Sequence, residues 1–510
     1  MVASLRADTL SMLALLAACG SASAFSGPTL APGGLRVRSA ERAAGRSGGV
    51  LRLKAQQTSS LPDISTLGQV AQKLAGSLQH VVQDPVRARY STAQIARFSY
   101  FLGQGVTVAL SGLNQGTVQV DDDAPTPTTQ ASQRSLDPAS VIGALTDAIL
   151  EESDKADATL ENVRMDDKPI LETDEQRALF NKNFQSIVGL IKTDLKNIED
   201  GKYAFPYDLE LSYAPQWSPL PVFNKLQVYL DERTKTIDRM YKKDGFEVRR
   251  NFKADPGKYP EYYLQNFHYQ SDGWLSARSA AIYDYQVESL FLGMADAMRR
   301  QVMPHFTAHV KDLKSKGRAE SDIRVLDVAT GTGRFASFLL QNFPGLKMDA
   351  LDLSPFYLAE TKKLLSKYTG VTYVEAAAES VPSSDEQYDI ITNVYLFHEL
   401  PEEVRTEVVK EWYRVLKPGG KIFFVDSAQA GEVPYDRVLD GFTIIAHEPY
   451  YKNYTEQNLV ALFENAGFQV DTTEVHWVSK CMVMTKPLPE AEPDTNAESA
   501  VEPAWEAEAA

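Results

Sequence analysis

The residues best suited to chemistry are concentrated at 322–333, Asp-Ile-Arg-Val-Leu-Asp-Val-Ala-Thr-Gly-Thr-Gly. An apolar strand, Ile323 to Val328, runs into a glycine-bearing turn, and Arg334 to Gln341 opens a helix. Such a strand–turn–helix suits a nucleotide, because glycines let a ligand approach the backbone and the helix N-terminus lies beside it. Gly331-x-Gly333-x-x-Ala336 satisfies the dinucleotide pattern, and Asp352 lies 21 residues beyond Gly331, the spacing of a ribose-binding carboxylate. Asp327 discriminates between ligands. A carboxylate at the end of the strand suits a cationic ligand with amino-acid character and repels the pyrophosphate of a dinucleotide.

The elements that must position these residues follow in order, after a helix read over about 276–303. Leu346–Leu353 reads as a second strand, and Ser354-Pro355 as the cap and first residue of its helix. Thr372–Ala376 is a third strand, leading to Ala378 and Glu379. Tyr388–Asn393 is a fourth, running into Tyr395-Leu396-Phe397-His398-Glu399-Leu400-Pro401. A helix over 402–416 ends in Leu-Lys-Pro-Gly-Gly, a tight turn into strand Lys421–Asp426. A helix over 455–465 ends at Gly467, and two strand-like segments cover 468–476 and 480–486.

In that order and spacing the pieces resemble the class I S-adenosylmethionine-dependent methyltransferases, most closely the small-molecule branch that includes the quinone-biosynthesis enzymes. The likeness is strong over about 320–486 and weaker over 251–320. It implies an α/β, Rossmann-like fold: a seven-stranded, mostly parallel sheet flanked by helices, here with an additional, mainly helical N-terminal domain. It also implies S-adenosylmethionine as cofactor, held by Asp327, Ala329, Thr330, Gly331, Gly333, Asp352, Leu353, Ala378, Glu379 and Asn393. Ala329 stands where the family has its first glycine. His398 is the implied catalytic base and Glu399 the residue that orients it, since an imidazole near neutrality can take a proton from an acceptor. His268, Tyr269 and Trp274 are expected on one wall of the acceptor site. His447, Tyr450 and Tyr451 are expected on the other, in a long connection over 427–454 that also holds Tyr435, Asp436 and Glu448. No cluster of Cys and His in the sequence points to a metal, and the reaction implied is an in-line methyl displacement on a small acceptor. A methyltransferase-like binding protein without turnover, acting through the N-terminal domain, is the alternative; an NAD(P) oxidoreductase would need nicotinamide binding.

Residues 10–18 are a short apolar run after Arg6, and Ala22-Ser23-Ala24 supplies a small-residue cleavage site, as in a signal peptide. Residues 25–54 are Arg-rich and acid-poor and begin with Phe25, as in the bipartite presequence of algae whose plastid lies inside extra membranes. Leu16-Ala17-Ala18-Cys19 also fits a lipoprotein box. The expected divisions are a signal peptide at 1–24, a transit peptide at 25–56, a helical segment at 57–113, a linker at 114–135, a mainly helical domain at 136–250, aromatic cover and lead-in helices at 251–320, the methyltransferase domain at 321–486 and a disordered acidic tail at 487–510. The uncharged run 98–113 suits a buried helix or a contact with a membrane surface.

The 510 residues carry a formal charge of −16, which argues against a general nucleic-acid binder. Two cysteines exclude a disulfide scaffold. The acidity is uneven: residues 1–54 are net basic, while 487–510 hold acids and no base.

Overall fold

The computed structural model describes residues 86–101, 174–210, 228–251, 257–433, 439 and 446–489, apart from a few single positions. The expected presequence and linker, together with Tyr435 and Asp436, lie outside the described residues.

The described residues fall into two compact units. One draws on Met1–Glu199, Phe205–Leu230 and Tyr285–Ala295, the other on Asp200–Ala204, Asp231–Asp284 and Asp296–Ala510.

The first unit is helical where described. Residues 86–101 bury Tyr90, Ile95, Phe98 and Phe101, and α1 (Asp174–Glu199) buries Phe184, Ile187, Val188, Ile191 and Leu195, apolar residues at helical spacing. Tyr90 donates to Asp194 (2.6 Å), and Arg97 pairs with Asp208 (2.6 Å) and Glu288 (3.0 Å). The start of the uncharged run, at Phe98 and Phe101, is thus buried in protein. No described helix is long and apolar enough to cross a membrane.

The second unit carries a seven-stranded sheet. Its strands are β1 (Arg324–Val328), β2 (Lys347–Asp352), β3 (Val371–Glu375), β4 (Tyr388–Val394), β5 (Leu416–Ser427), β6 (Gln469–His476) and β7 (Ser479–Thr485), in the order β3-β2-β1-β4-β5-β7-β6. All pairings are parallel except those of β7, which runs antiparallel to β5 and β6. Burial explains the sequence pattern. Central strands such as β4 are covered on both faces and read as near-continuous apolar runs, while edge strand β6 alternates exposed and half-buried residues. α2 (Ala277–Leu290) and α3 (Ala295–Arg300) each hold residues of both units, and the flanking helices of the second are α4 (Met303–Ser315), α5 (Arg334–Asn342), α6 (Pro355–Leu365), α7 (Glu402–Val415), α8 (Tyr451–Glu456) and α9 (Leu459–Asn465). Trp412 of α7 stacks on Phe397 at 5.3 Å in a core shared with Phe424 and Phe463.

Three boundaries differ from expectation. The helix expected through 276–303 is broken between α2 and α3, where Leu292 (φ +53°) and Gly293 (φ +81°) turn the chain through the left-handed region. The helix expected over 455–465 is two helices, because Asn458 restarts the chain by capping α9, its side chain accepting from the Ala461 N–H at 3.1 Å. The turn expected at Leu416–Gly420 is absorbed into β5, where Leu416 pairs with Tyr388 across a bulge and Gly419 takes φ +78°.

The chain leaves β3 at one edge and returns as β4 beside β1, so the strand order reverses between β1 and β4. In open α/β sheets a crevice forms at that fork, beyond the carboxyl ends of the strands. Asp327 pairs in register with Thr392, and Val328 with Asn393, at that fork.

Candidate active site

A cleft opens at the carboxyl ends of β1, β2 and β4. Asp327, Ala329, Thr330 and Gly331 line it, together with Asp352, Leu353, Ala378, Trp274 and Glu399. These are nine of the residues singled out from sequence. Tyr262, Tyr263, Phe267, Tyr283, Tyr357 and Tyr395 complete an aromatic wall.

Asp327 is buried on β1. One carboxylate oxygen accepts from the Thr392 hydroxyl at 2.6 Å. Thr330 is near enough to steady the group, yet Oδ2 has no completed hydrogen bond. Burial pushes this carboxyl up to about 6 against the opposing pull of the two threonines. The turn after it is unusual in that Ala329 itself holds φ +53°, a conformation that favours glycine. Gly331 (φ +59°) and Gly333 (φ +79°) need their glycines for different reasons. A Cβ on Gly331 would meet nothing closer than a carbonyl oxygen at 4.0 Å, so the turn presents bare backbone to the cleft. A Cβ on Gly333 would lie 2.8 Å from Thr361 Cγ2 on α6. Gly333 does not line the cleft; it lets α5 and α6 approach.

Asp352 accepts two backbone N–H groups, from Gly331 to Oδ2 and from Ser354 to Oδ1, both at 2.8 Å. Those bonds aim the carboxylate and leave lone pairs on each oxygen for hydroxyls. Burial pushes Asp352 up to about 6 too, against those N–H groups.

Asn393 differs from expectation. Its amide donates to the Val328 carbonyl at 2.9 Å, and the residue is buried behind the cleft, so it braces the fork between β1 and β4 instead of facing a ligand. Glu379 also stands behind the wall, accepting the Tyr262 phenol at 2.7 Å. Burial, reinforced by that carboxylate, pushes the phenol up, so it remains a donor and the wall is fixed.

The expected base is corrected as well. His398 does not line the cleft, whereas Glu399 does. His398 Nδ1 is 2.6 Å from Asp426 at the end of β5, and its Nε2 is 3.7 Å from Glu399. Asp426, not Glu399, therefore orients it. Burial pulls the imidazole down, but the Asp426 carboxylate and its hydrogen bond overcome this and carry it up to about 9. Asp426 also accepts the Phe397 N–H at 2.7 Å and so fixes the turn that presents Glu399.

Glu399 pairs instead with His268, whose Nε2 is 3.0 Å away, and His268 Nδ1 is 3.1 Å from Glu448. His268 thus joins the aromatic segment to the 446–450 connection. Burial lowers its affinity for a proton, yet Glu399 and Glu448 raise it further, to about 10. Trp274 is the centre of the aromatic wall, stacked on Phe267 at 5.4 Å and edge-on to Tyr283 and Tyr357, each at 5.5 Å. Ser354, the cap of α6, holds it by donating to its carbonyl at 2.6 Å.

The other expected acceptor residues sit one layer out. Tyr269 is buried with its ring 5.1 Å from that of His447, and His447 packs against Gly245, a position that leaves no room for a Cβ. Burial draws the His447 imidazole down. Tyr451 is buried behind His398, 5.9 Å between rings, with its hydroxyl 2.6 Å from that of Ser427. Tyr450, half-buried, does not line the cleft either.

Sequence reasoning missed Arg299 and Arg334, which line the cleft and share the buried carboxylate of Asp296, at 2.7 and 2.5 Å. Arg334 follows the glycine turn directly, which was a signal. Asp296 carried none, since its helix was expected to be continuous.

Residues 325–420 match the protein family described as "Methyltransferase domain". This segment is a methyltransferase domain. A demethylmenaquinone methyltransferase from Chlorobaculum tepidum is 29% identical over 195 residues, 38% of this chain and 70% of its own. An uncharacterized methyltransferase from Bacillus mycoides is 26% identical over 202 residues, 38% of this chain and 91% of its own. A solved S-adenosylmethionine-dependent methyltransferase from Aquifex aeolicus is 23% identical, covering 35% of this chain and 88% of its own at a TM-score of 0.27. The methyltransferase is an enzyme whose cofactor is S-adenosylmethionine. The site fits that cofactor: a buried carboxylate oxygen on Asp327 without a partner, a backbone cradle at Gly331 and an aimed carboxylate at Asp352.

Proposed function

We propose that this methyltransferase carries a methyl group to a small quinone- or lipid-like acceptor, and that it works in a plastid. The observation that carries the acceptor class is the aromatic wall of Phe267, Trp274, Tyr283 and Tyr395 in the cleft that Glu399 also lines. Flat apolar rings with an oxygen at one edge suit such a surface. The name of the Chlorobaculum relative supports the same class. The plastid address rests on the composition of residues 1–54.

S-adenosylmethionine supplies an activated methyl group when bound. Asp327 takes its amino-acid end through the carboxylate oxygen left without a partner. Asp352 accepts the ribose hydroxyls while the Gly331 and Ser354 N–H groups hold it still. Trp274 and Tyr283 turn aromatic surface toward the cation and keep water out. No basic groove is called for, and nucleic acid is not a partner in this reading. A peripheral contact with a membrane would deliver a lipid-like acceptor.

The test is incubation of the full chain with methyl-labelled cofactor and either prenylated hydroquinones or a polar metabolite extract. Label in the hydroquinone fraction is expected. Label confined to polar products would overturn the acceptor class. A fluorescent fusion of residues 1–56 in an algal cell tests the address, and a signal that stays outside the plastid would overturn it.

A further inference from the structure

We propose that His268, Glu399 and Glu448 form a binding site for one first-row divalent cation at the acceptor end of the cofactor cleft. Three separate segments bring these residues together: a turn at Phe267–Tyr269, a turn at Phe397–Glu399 and the connection leading into α8. One ligand atom from each lies within 4.8 Å of the others. Glu399 and Glu448 are 7% and 4% exposed, and each has a buried Oε2 with no hydrogen-bond partner. Two unpartnered, buried carboxylate oxygens beside one imidazole are a costly arrangement unless a cation draws on them.

Charge points the same way. Three buried carboxylates, Asp426, Glu399 and Glu448, are in ion-pairing distance of two imidazoles, His268 and His398. With both imidazoles protonated one negative charge is left among these five groups, and the buried Arg405 guanidinium interacts with the Asp426 member of the cluster. Arg405 does not bond to Glu399 or Glu448; it donates to the Phe397 carbonyl and the Asn453 side chain. A divalent cation against Glu399, Glu448 and a neutral His268 leaves no excess, and His398 with Asp426 remains a separate neutral pair.

The donor set selects the ion. One imidazole nitrogen with two carboxylate oxygens suits manganese, iron or zinc, whereas all-oxygen sites suit magnesium and calcium. Three protein ligands leave coordination positions open. Glu399 also lines the cleft, which sets one ligand of the site beside it. The cation site stands without the proposed acceptor class; its use rests on it. An acceptor with a hydroxyl or carbonyl oxygen would occupy an open position, and the ion would favour the ionised form of a hydroxyl.

The experiment uses the full chain stripped with a chelator and titrated with Mn2+ by electron paramagnetic resonance. S-adenosylhomocysteine binding is measured on the same samples by calorimetry. One Mn2+ per chain is expected, displaced by Zn2+, with nitrogen modulation from one imidazole in the pulsed spectrum. Glu448→Gln is expected to weaken Mn2+ by about tenfold or more, judged against second-shell losses of ~10–100-fold, with S-adenosylhomocysteine affinity unchanged within about twofold. His268→Gln is the second variant. The pulsed spectrum of the unaltered protein decides the matter if a variant fails to fold. Substoichiometric Mn2+, or stoichiometric Mn2+ without the nitrogen signal, overturns the site and leaves a proton-held ion triad. Mn2+ binding with no S-adenosylhomocysteine binding overturns the methyltransferase reading and leaves the cation site intact.

Discussion

Asp327 is held in a condition that only a ligand completes. Its folded carboxyl sits at about 6 against an ordinary value of 3.8, raised first by burial. A carboxyl raised in this way binds its proton more tightly when folded. The cofactor-free protein therefore gains stability from Asp327 as pH falls through about 6, and the gain is complete below the unfolded value. Cofactor binding has the opposite sign, because the cationic end needs the ionised form. Affinity for S-adenosylmethionine is expected to fall below pH 6, and calorimetry over pH 5–8 measures it. Asp327→Asn should be weaker by roughly 10- to 100-fold at pH 7.5, the loss of one charge-assisted hydrogen bond, and lose most of this pH dependence; an unchanged profile would remove Asp327 from the site. Asp426 poses a stability question instead. Asp426→Ala strips the partner from both His398 and the Phe397 N–H, and an unfolding titration should show a loss of about 3–5 kcal/mol.

At the scale of elements, the two glycines of one turn separate binding from packing. Gly331→Ala puts a methyl group toward the cleft, so cofactor binding should suffer more than thermal stability. Gly333→Ala drives a methyl group into Thr361 and strains a positive φ, and should cost about 2–4 kcal/mol in denaturant unfolding. If the two variants behave alike, the division of labour is wrong. The strands, the glycine turn and the two aspartates were legible in sequence because each is a local pattern: an apolar run, a turn residue, an acid at a strand end. Asn393 and His398 were legible as positions but not as roles. Which way the Asn393 amide turns depends on the Val328 carbonyl across the fork, and the character of His398 depends on Asp426, a residue on another strand. The triad of His268, Glu399 and Glu448 was illegible for the same reason, since two short turns and a long connection assemble it. The breaks at Gly293 and Asn458 were missed because helical periodicity carries on through both.

At the scale of the molecule, the acidity read at first as one property is divided between a basic N-terminal stretch, an acid-rich C-terminal stretch and the remainder between them. The described residues form two compact units, and the cleft is built wholly from the one that carries the sheet. On heating, S-adenosylhomocysteine should therefore raise the melting temperature of the unit that carries the sheet. At a hundredfold excess over its dissociation constant the stabilisation is about 2.7 kcal/mol, which for a unit of this size corresponds to roughly 5–10 °C. A melting temperature that saturating ligand leaves unchanged would contradict the placement of the cleft.

The most direct measurement is a calorimetric titration of S-adenosylmethionine into the purified full chain at pH 7.5. One molecule bound per chain is expected, with the binding heat abolished or reduced at least tenfold by Gly331→Ala. Absence of heat at millimolar cofactor in a folded sample, or binding that Gly331→Ala leaves intact, would contradict the placement of the cofactor between Asp327 and Asp352.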